Sequence, residues 1–561
     1  MKRLPHISTL GQALFGLLLV GWPVIDTGAS GAVTPVRLLL SGGLLGLFAA
    51  AVLTVRSRKE WLWSGVDGAI GLCGGWFILQ VAIIGPGETD PYPVLIGLVG
   101  LAGYGFCRVA GTAGLLPAMF LSGLVQSGVA FAQCAGWGAS RHSYYALTGS
   151  FPNPGPLGGW LCVATLAAAV LTAQSWKNGR KIRAALFGGG GSVIGIALWL
   201  TDSRAAWVGF CAGLFYFFFT KKCRYKLPML IATLIGVIIS CIFLYNYKKE
   251  SADGRLLIWR VSADLIARRP VLGQGVGSFP ERYMPAQGDY FARNPESRFT
   301  AVADQVSVPF NEWIGIVCEQ GAVGGVLALL LLGAALGGRA TEAQRQGRVL
   351  LVGIGVFGLF SYPLTFPAFG VLLGAILARC ANRPVVSVRP ISLRAALPVG
   401  LSVAIVGAAA LCAIGRAGGT DRNRYARLEK VSARMRDFSP SDLPWLERQA
   451  RQLPVAEFYT DLGDRLLEAD RIDRAADYYR RASQMIPSRL RPYDGLFRAY
   501  LRAGLVDSAE VMTRKIVAMP VKVGNTTTIR IRRSAAEWLL EQQKERERSS
   551  FQLVRRGGDE E

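Results

Sequence analysis

The sequence predicts an all-α fold: a polytopic membrane bundle of about thirteen helices with a soluble helical-repeat domain behind it. Three observations predict it. Apolar runs of spanning length recur through residues 1–415 of a chain that is 51% hydrophobic, and a helix needs roughly 20 mostly apolar residues to cross a bilayer. Basic residues gather in alternate loops between those runs. Residues 416–561 hold no such run and instead repeat with a period of about 34 residues, the length of a helix–turn–helix unit. A soluble enzyme, a secreted disulfide scaffold and a disordered chain are all excluded.

In chain order, spans are expected near 10–26, 37–55, 62–84, 92–107, 112–132, 157–174, 184–200, 204–220, 227–246, 312–337, 348–365, 366–380 and 395–415. The first follows Lys2 and Arg3 with no cleavage-like site behind it, and it reads as a span, not a removable signal. Positive charge assigns the sides. With the N-terminus cytoplasmic, inside loops collect Arg56, Arg58 and Lys59, then Lys177, Arg180, Lys181 and Arg183, then Lys221, Lys222, Arg224 and Lys226, and near the end Arg379, Arg383, Arg389 and Arg394. The short outside loops hold only Arg37, Arg141 and Arg204. The long segment 247–311 then faces outside, and an odd span count places the tail there too. Two domains are expected: 1–415 in the membrane, including the loop 247–311, and 416–561 outside it.

The formal net charge of +24 invites a nucleic-acid reading, but the basic residues of the apolar part sit where membrane orientation puts them, so no nucleic-acid partner is expected. The ten cysteines lie in or beside apolar segments and form neither a CxxC pair nor a Cys/His cluster. Neither a disulfide framework nor a metal site is expected, nor is a cofactor.

The tail repeat aligns 458–487 with 492–521: Leu462 with Leu496, Leu466 with Tyr500, Leu467 with Leu501, Ala469 with Ala503, and Ala475 with Ala509. Small residues at helix crossings make the unit similar to a tetratricopeptide repeat; two ordinary amphipathic hairpins are the plainer alternative. Segments 425–455 and 527–545 would supply flanking helices, since two units are few for a solenoid.

Ionisable residues at membrane depth are costly and point to function. Arg204, in Thr201-Asp-Ser-Arg-Ala-Ala-Trp207, falls on a tight outer turn, and Arg255, in Asp253-Gly-Arg-Leu-Leu-Ile-Trp259, opens an amphipathic stretch that closes on Arg268-Arg269-Pro270. The plainer readings are an interfacial anchor paired with Asp202 for Arg204, a solvated loop charge or cap partner for Arg255, and membrane-surface charges for Arg268 and Arg269. Gly273-x-Gly-x-Gly277 lacks the strand and helix of a phosphate loop and reads as a turn that lets backbones approach closely.

These residues stand in a recognisable order. Leu147-Thr-Gly-Ser-Phe-Pro-Asn153, Asp202-Ser-Arg204, Gly254-Arg255-x-x-x-Trp259 with Pro270-Val-Leu-Gly-Gln-Gly-Val-Gly-Ser-Phe279, and Asn311-Glu-Trp-Ile314 running into Glu319-Gln-Gly-Ala-Val-Gly324 surround one large outer loop. Over roughly 60–380 the chain resembles the O-antigen ligase and O-antigen polymerase superfamily, and Tyr362-Pro363 with the repeat tail resembles its subgroup carrying a tetratricopeptide domain. The resemblance implies a glycosyltransferase of the bacterial inner membrane. It would take a glycan from an undecaprenyl-diphosphate carrier on the periplasmic face and pass it to another glycan, lipid A core or a protein. Arg204 and Arg255 would hold the diphosphate, since a guanidinium fork binds phosphate oxygens bidentately and stays charged. Arg268, Arg269, Asn153 and Asn311 would line the substrate site, with membrane lipids and, through the tail, a partner protein as further contacts.

One departure stands out. Ligases of this family carry a His before the Asn-Glu pair, proposed as the base for the acceptor proton; that position here is Phe310. Only His6 and His142 exist in the chain. Glu312 is the expected substitute, with Asp304, Glu319 and His142 behind it; a base is dispensable if the sugar–phosphate bond breaks largely before attack. Two other classes compete: a transporter or flippase of lipid-linked sugars, which calls for midplane polar residues and paired broken helices, and a non-catalytic assembly protein whose membrane part anchors the repeats.

Overall fold

The computed structural model describes residues 5–26, 33–53, 61–84, 90–219, 249–381, 386–388, 393–418, 423–520 and 525–557. The chain divides into two compact units that do not follow its order: 1–247, 266–279 and 308–426 form one, and 248–265, 280–307 and 427–561 the other. The segment 247–311, expected to belong with the membrane part, is thus shared between both.

The first unit is a helical bundle. Its helices are α1 (Pro5–Ile25), α2 (Pro35–Leu53), α3 (Gly65–Ile84), α4 (Pro91–Ala110), α5 (Leu115–Cys134), α6 (Pro154–Lys177), α7 (Lys181–Leu200) and α8 (Arg204–Phe219). The expected span 227–246 lies outside the described residues. Among the described residues eight helices are long and apolar enough to cross a membrane, and three more are apolar but shorter. Among the described residues the bundle also holds a two-stranded antiparallel ladder, β1 (Trp61–Trp63) against β2 (Val386–Val388), in register Leu62 to Ser387.

Small residues decide how closely these helices pack, as is usual where lipid removes the hydrophobic drive between helices. A Cβ on Gly103 would lie 3.2 Å from the Val371 carbonyl oxygen, and one on Gly209 only 2.6 Å from that of Gly353. Helix α6 is the most enclosed span, with 78% of its window buried. One carboxylate inside the bundle is ion-paired: Asp67 accepts from both Nε and Nη2 of Arg108 at 2.8 Å, and the Tyr104 hydroxyl also donates to it. Asp67, near the start of α3, thus joins that helix to α4. Arg37, expected in a loop, is 1% exposed, pairs with Asp26 at 2.8 Å and lies over the Tyr92 ring.

The second unit takes its first helix from the 247–311 segment, most of α9 (Lys249–Arg268), and adds α10 (Phe279–Arg293) from Pro280 onward. On the α10 part, Gln287 donates to the Met485 carbonyl at 2.7 Å, and Glu281 pairs with Arg427 at 2.5 Å. The tail is made of antiparallel helices, including Ala456–Glu468, Ile472–Met485, Leu490–Arg502 and Val506–Ala518. Of the aligned pairs, Leu462/Leu496 and Ala475/Ala509 are buried, whereas Leu501 and Ala503 are exposed. Tyr479 fixes the packing: its ring lies between Gly463 and Gly495, and its hydroxyl donates to Asp464 at 2.6 Å. Burial and that bond push the phenol well above its ordinary pKa.

Candidate functional site

Asn153, Arg204, Asn311 and Glu312 collect at one end of the first unit's bundle. Helix α6 starts there because Asn153 caps it: Oδ1 accepts the Gly155 N–H at 3.0 Å, and two prolines occupy the first turn where no N–H is needed. Its Nδ2 donates to the Tyr362 hydroxyl at 2.9 Å. About one and a half turns along α6, Gly158 lies under the Thr201-Asp202-Ser203 turn: a Cβ there would be 2.6 Å from Ser203 Cβ and 3.0 Å from Thr201 Oγ1. That turn ends α7 and opens α8, whose first residue is Arg204, half-buried. Asp202 holds φ 50, the left-handed region that non-glycine residues seldom enter.

The Asn-Glu pair reaches the same end on α11 (Glu312–Leu336). Asn311 is its cap, Oδ1 accepting the N–H groups of Trp313 at 2.9 Å and Ile314 at 3.1 Å. Phe310 also has a positive φ of 52, and its ring meets that of Tyr362 edge-on at 5.0 Å. Helix α12 (Glu342–Gly358) and the turn after it close around Glu312: a Cβ on Gly358 would be 3.3 Å from Glu312 Cγ, and Glu312 Oε1 accepts the Leu364 N–H at 2.6 Å. Of the three described non-glycine residues with positive φ, two therefore flank the site at the motif positions. Strain of this kind costs about 1–3 kcal/mol each and persists where surrounding structure enforces it.

A second feature joins this end. Helix α11 breaks at Gly321 (φ 68, ψ −169), and the loop 270–277 fills the break. Ala322 N–H donates to the Pro270 carbonyl at 2.8 Å, while Gln274 and Gly275 N–H donate to the Cys318 and Glu319 carbonyls at 2.9 Å. The helix thus exchanges lost internal bonds for bonds to the loop, which non-helical backbone at membrane depth must do. Gly273, Gly275 and Gly277 all have positive φ, so the close approach expected of this glycine run is present. The Glu319 carboxylate accepts the N–H groups of Gly277 at 3.0 Å and Phe279 at 3.2 Å. Among the described residues α11 is the one helix interrupted in this way, where a transporter reading calls for a pair.

The remaining candidates are spread. Arg268 ends α9 and Arg269 follows it; both are exposed, within the first unit. Arg255, half-buried on α9, belongs to the second unit, as does Asp304, which pairs with Arg489 at 2.9 Å. The Nδ1 of His142 accepts the Tyr144 N–H at 3.0 Å. The structure adds Tyr362, which touches Asn153 and Phe310 together; its place before Pro363 at the end of a span was the one signal in the sequence. The end of the bundle therefore offers a guanidinium, a half-buried carboxylate and a tyrosine on backbone held in unusual conformations. This set suits anion binding and proton transfer.

Residues 189–329 match the model of the O-antigen ligase family. The matched stretch holds the Asp202–Arg204 turn, α9, the glycine loop and the Asn311-Glu312 cap. It supports the O-antigen ligase superfamily and, in general terms, a ligase or transferase activity. No curated protein and no solved structure matches the chain.

Proposed function

We propose that the chain is a glycosyltransferase of the bacterial inner membrane, of the O-antigen ligase or polysaccharide polymerase type. It moves a glycan from undecaprenyl diphosphate to an acceptor hydroxyl on the periplasmic face. The observation that carries this reading is the family match over 189–329, because Arg204, Arg255, Arg268, Arg269, Asn311 and Glu312 all fall inside it. The acceptor oxygen attacks the anomeric carbon, the bond from that carbon to the phosphate oxygen breaks, and undecaprenyl diphosphate leaves with the electron pair. Arg204, on a rigid turn, stabilises the growing phosphate charge; a donor aimed at such charge in a dry site contributes about 2.7–4 kcal/mol to the barrier. Arg255 is the second diphosphate arginine on the resemblance alone. Asn311 spends its oxygen on the helix cap and offers its amide N–H groups to the sugar.

Glu312 takes the acceptor proton in place of the imidazole that Phe310 displaces. Its Oε1 is held by the Leu364 N–H, and its second oxygen has no partner among the described residues. The tail acts as a tetratricopeptide-like platform that guides the acceptor or a partner protein: its helices start at Ala456 and Ile472, and again at Leu490 and Val506, one repeat length apart.

The test is transfer from a defined polyprenyl-diphosphate glycan by the purified chain, with lipid A core, a second donor and a peptide offered separately. One acceptor is expected to be modified. Glu312→Gln should lower kcat by about 10²–10⁴ with KM little changed. Undiminished transfer by the folded variant would remove Glu312 from the mechanism.

A further inference from the structure

We propose that a cavity between the C-terminal end of α3 and the loop at 269–273 binds the phosphate group of a membrane lipid. The cavity measures about 510 Å³ and is lined by Trp76, Gln80, Ile83, Arg269 and Val271, among others. That is within the range of small-molecule sites, about 300–1,000 Å³.

Among the described residues, three polar groups around it are unspent. The Arg269 guanidinium has no ion pair or side-chain hydrogen bond among the described residues. Trp76 Nε1 and Gln80 Oε1 are buried without a partner among the described residues, and Gln80 is only 1% exposed. Gln80 is held rigidly, because its Nε2 donates to the Leu272 and Glu319 carbonyls, both at 2.7 Å. Buried polar atoms without partners are uncommon and call for an explanation. A guanidinium and an indole N–H are two donors suited to phosphate oxygens, and an amide oxygen accepts from a hydroxyl or ammonium carried on the same ester.

The surroundings identify the phosphate as lipid-borne. Ile78, Leu79 and Ile83 on α3 are 71%, 52% and 55% exposed, and Val271 and Leu272 beside Arg269 are 57% and 45% exposed. Only 17% of the apolar window of α3 is buried inside the protein. An apolar collar next to a free cation matches a ligand that has both a hydrocarbon chain and an anionic head, since long cationic side chains work in this way at membrane interfaces. A soluble phosphate would leave the collar in water. Bilayer phospholipid and polyprenyl phosphate share this chemistry. Arg204 does not line this cavity, and the proposal does not depend on glycan transfer.

The test is native mass spectrometry of the full chain in detergent. Phosphatidylglycerol, undecaprenyl phosphate, diacylglycerol and inorganic phosphate are titrated separately. At least one phosphate-bearing lipid should bind, with Arg269→Gln weakening it tenfold or more, Trp76→Phe weakening it several-fold, and Arg269→Lys keeping most of it. The lipid whose binding depends on Arg269 names the source. Diacylglycerol and inorganic phosphate should not be retained. Binding equal in wild type and Arg269→Gln, binding lost only in Arg204→Ala, or diacylglycerol retained as well as the phospholipid would each overturn the proposal.

Discussion

Replacing Gly321 by Ala probes the joint between the broken helix and the glycine loop. At φ 68 and ψ −169 the residue lies in a region open essentially to glycine, and forcing another residue there costs about 1–3 kcal/mol. The new Cβ would sit 2.1 Å from the Val271 carbonyl oxygen, where ordinary contact begins near 3.4 Å. The obstacle is backbone, so the loop itself must retreat by roughly 1.3 Å, which takes hydrogen bonds of 2.8–2.9 Å out of reach. Three such bonds join loop and helix, from Ala322, Gln274 and Gly275. At about 1 kcal/mol each, the combined loss is on the order of 4–6 kcal/mol with the conformational cost included. The assay is maleimide labelling of Cys318, fully buried one turn from the break, read by peptide mass spectrometry alongside thermal unfolding in detergent. Gly321→Ala should expose Cys318 and lower the melting temperature, while Gly74→Ala, with nothing within 4 Å, should do neither. A Gly321→Ala chain with wild-type melting and a protected Cys318 would refute the reasoning.

Three further outcomes are expected. Gly463→Ala pushes a methyl to within 2.7 Å of the Tyr479 ring, which Gly495 confines on its other side; the tail should lose about 1–3 kcal/mol, seen as earlier loss of helical signal on heating. The hydrogen bond from Arg514 and the charge of Arg546 hold the Glu510 carboxyl below its usual range. Such a group stabilises the fold above the unfolded-state pKa of about 4.3, and the contribution fades as pH falls through the folded value. Glu510→Gln should therefore lower the melting temperature at pH 7 and leave it unchanged in acid below the carboxylate range. Tyr362→Phe removes the acceptor for Asn153 Nδ2 and should cost about 1 kcal/mol of stability; a melting temperature identical to wild type would show the bond contributes nothing.

Most of the bundle was legible because span length and loop charge are set by the bilayer, not by tertiary detail. Helices occupy the expected positions from α1 to α8 and at Glu312–Leu336, while the span expected at 348–365 is a helix over Glu342–Gly358; eight helices, not thirteen, meet the length and apolarity of a full span among the described residues. The site was legible as a set of motifs and not as geometry. Asn153 and Asn311 carry polar side chains that suit a sugar, yet their oxygens cap helices, because residues ahead of a first helical turn face unpaired N–H groups. Tyr362 was visible only as a residue before a proline, since a contact with residue 153 spans a separation no local pattern encodes. The break at Gly321 follows a polar pair, Glu319-Gln320, inside one expected span, but its partner loop lies about fifty residues earlier. Arg37 read as a loop charge, but its pairing with Asp26 is a tertiary event.

The central claim is that the guanidinium on the turn after α7 drives departure of the carrier diphosphate. Single-turnover transfer from a polyprenyl-diphosphate glycan, comparing wild type with Arg204→Ala and Arg204→Lys at equal folded protein, tests it most directly. The account predicts a rate about 10²–10³ lower for Arg204→Ala, with lysine recovering only part, because a point charge lacks the bidentate fork. Transfer at the wild-type rate in the alanine variant would contradict it.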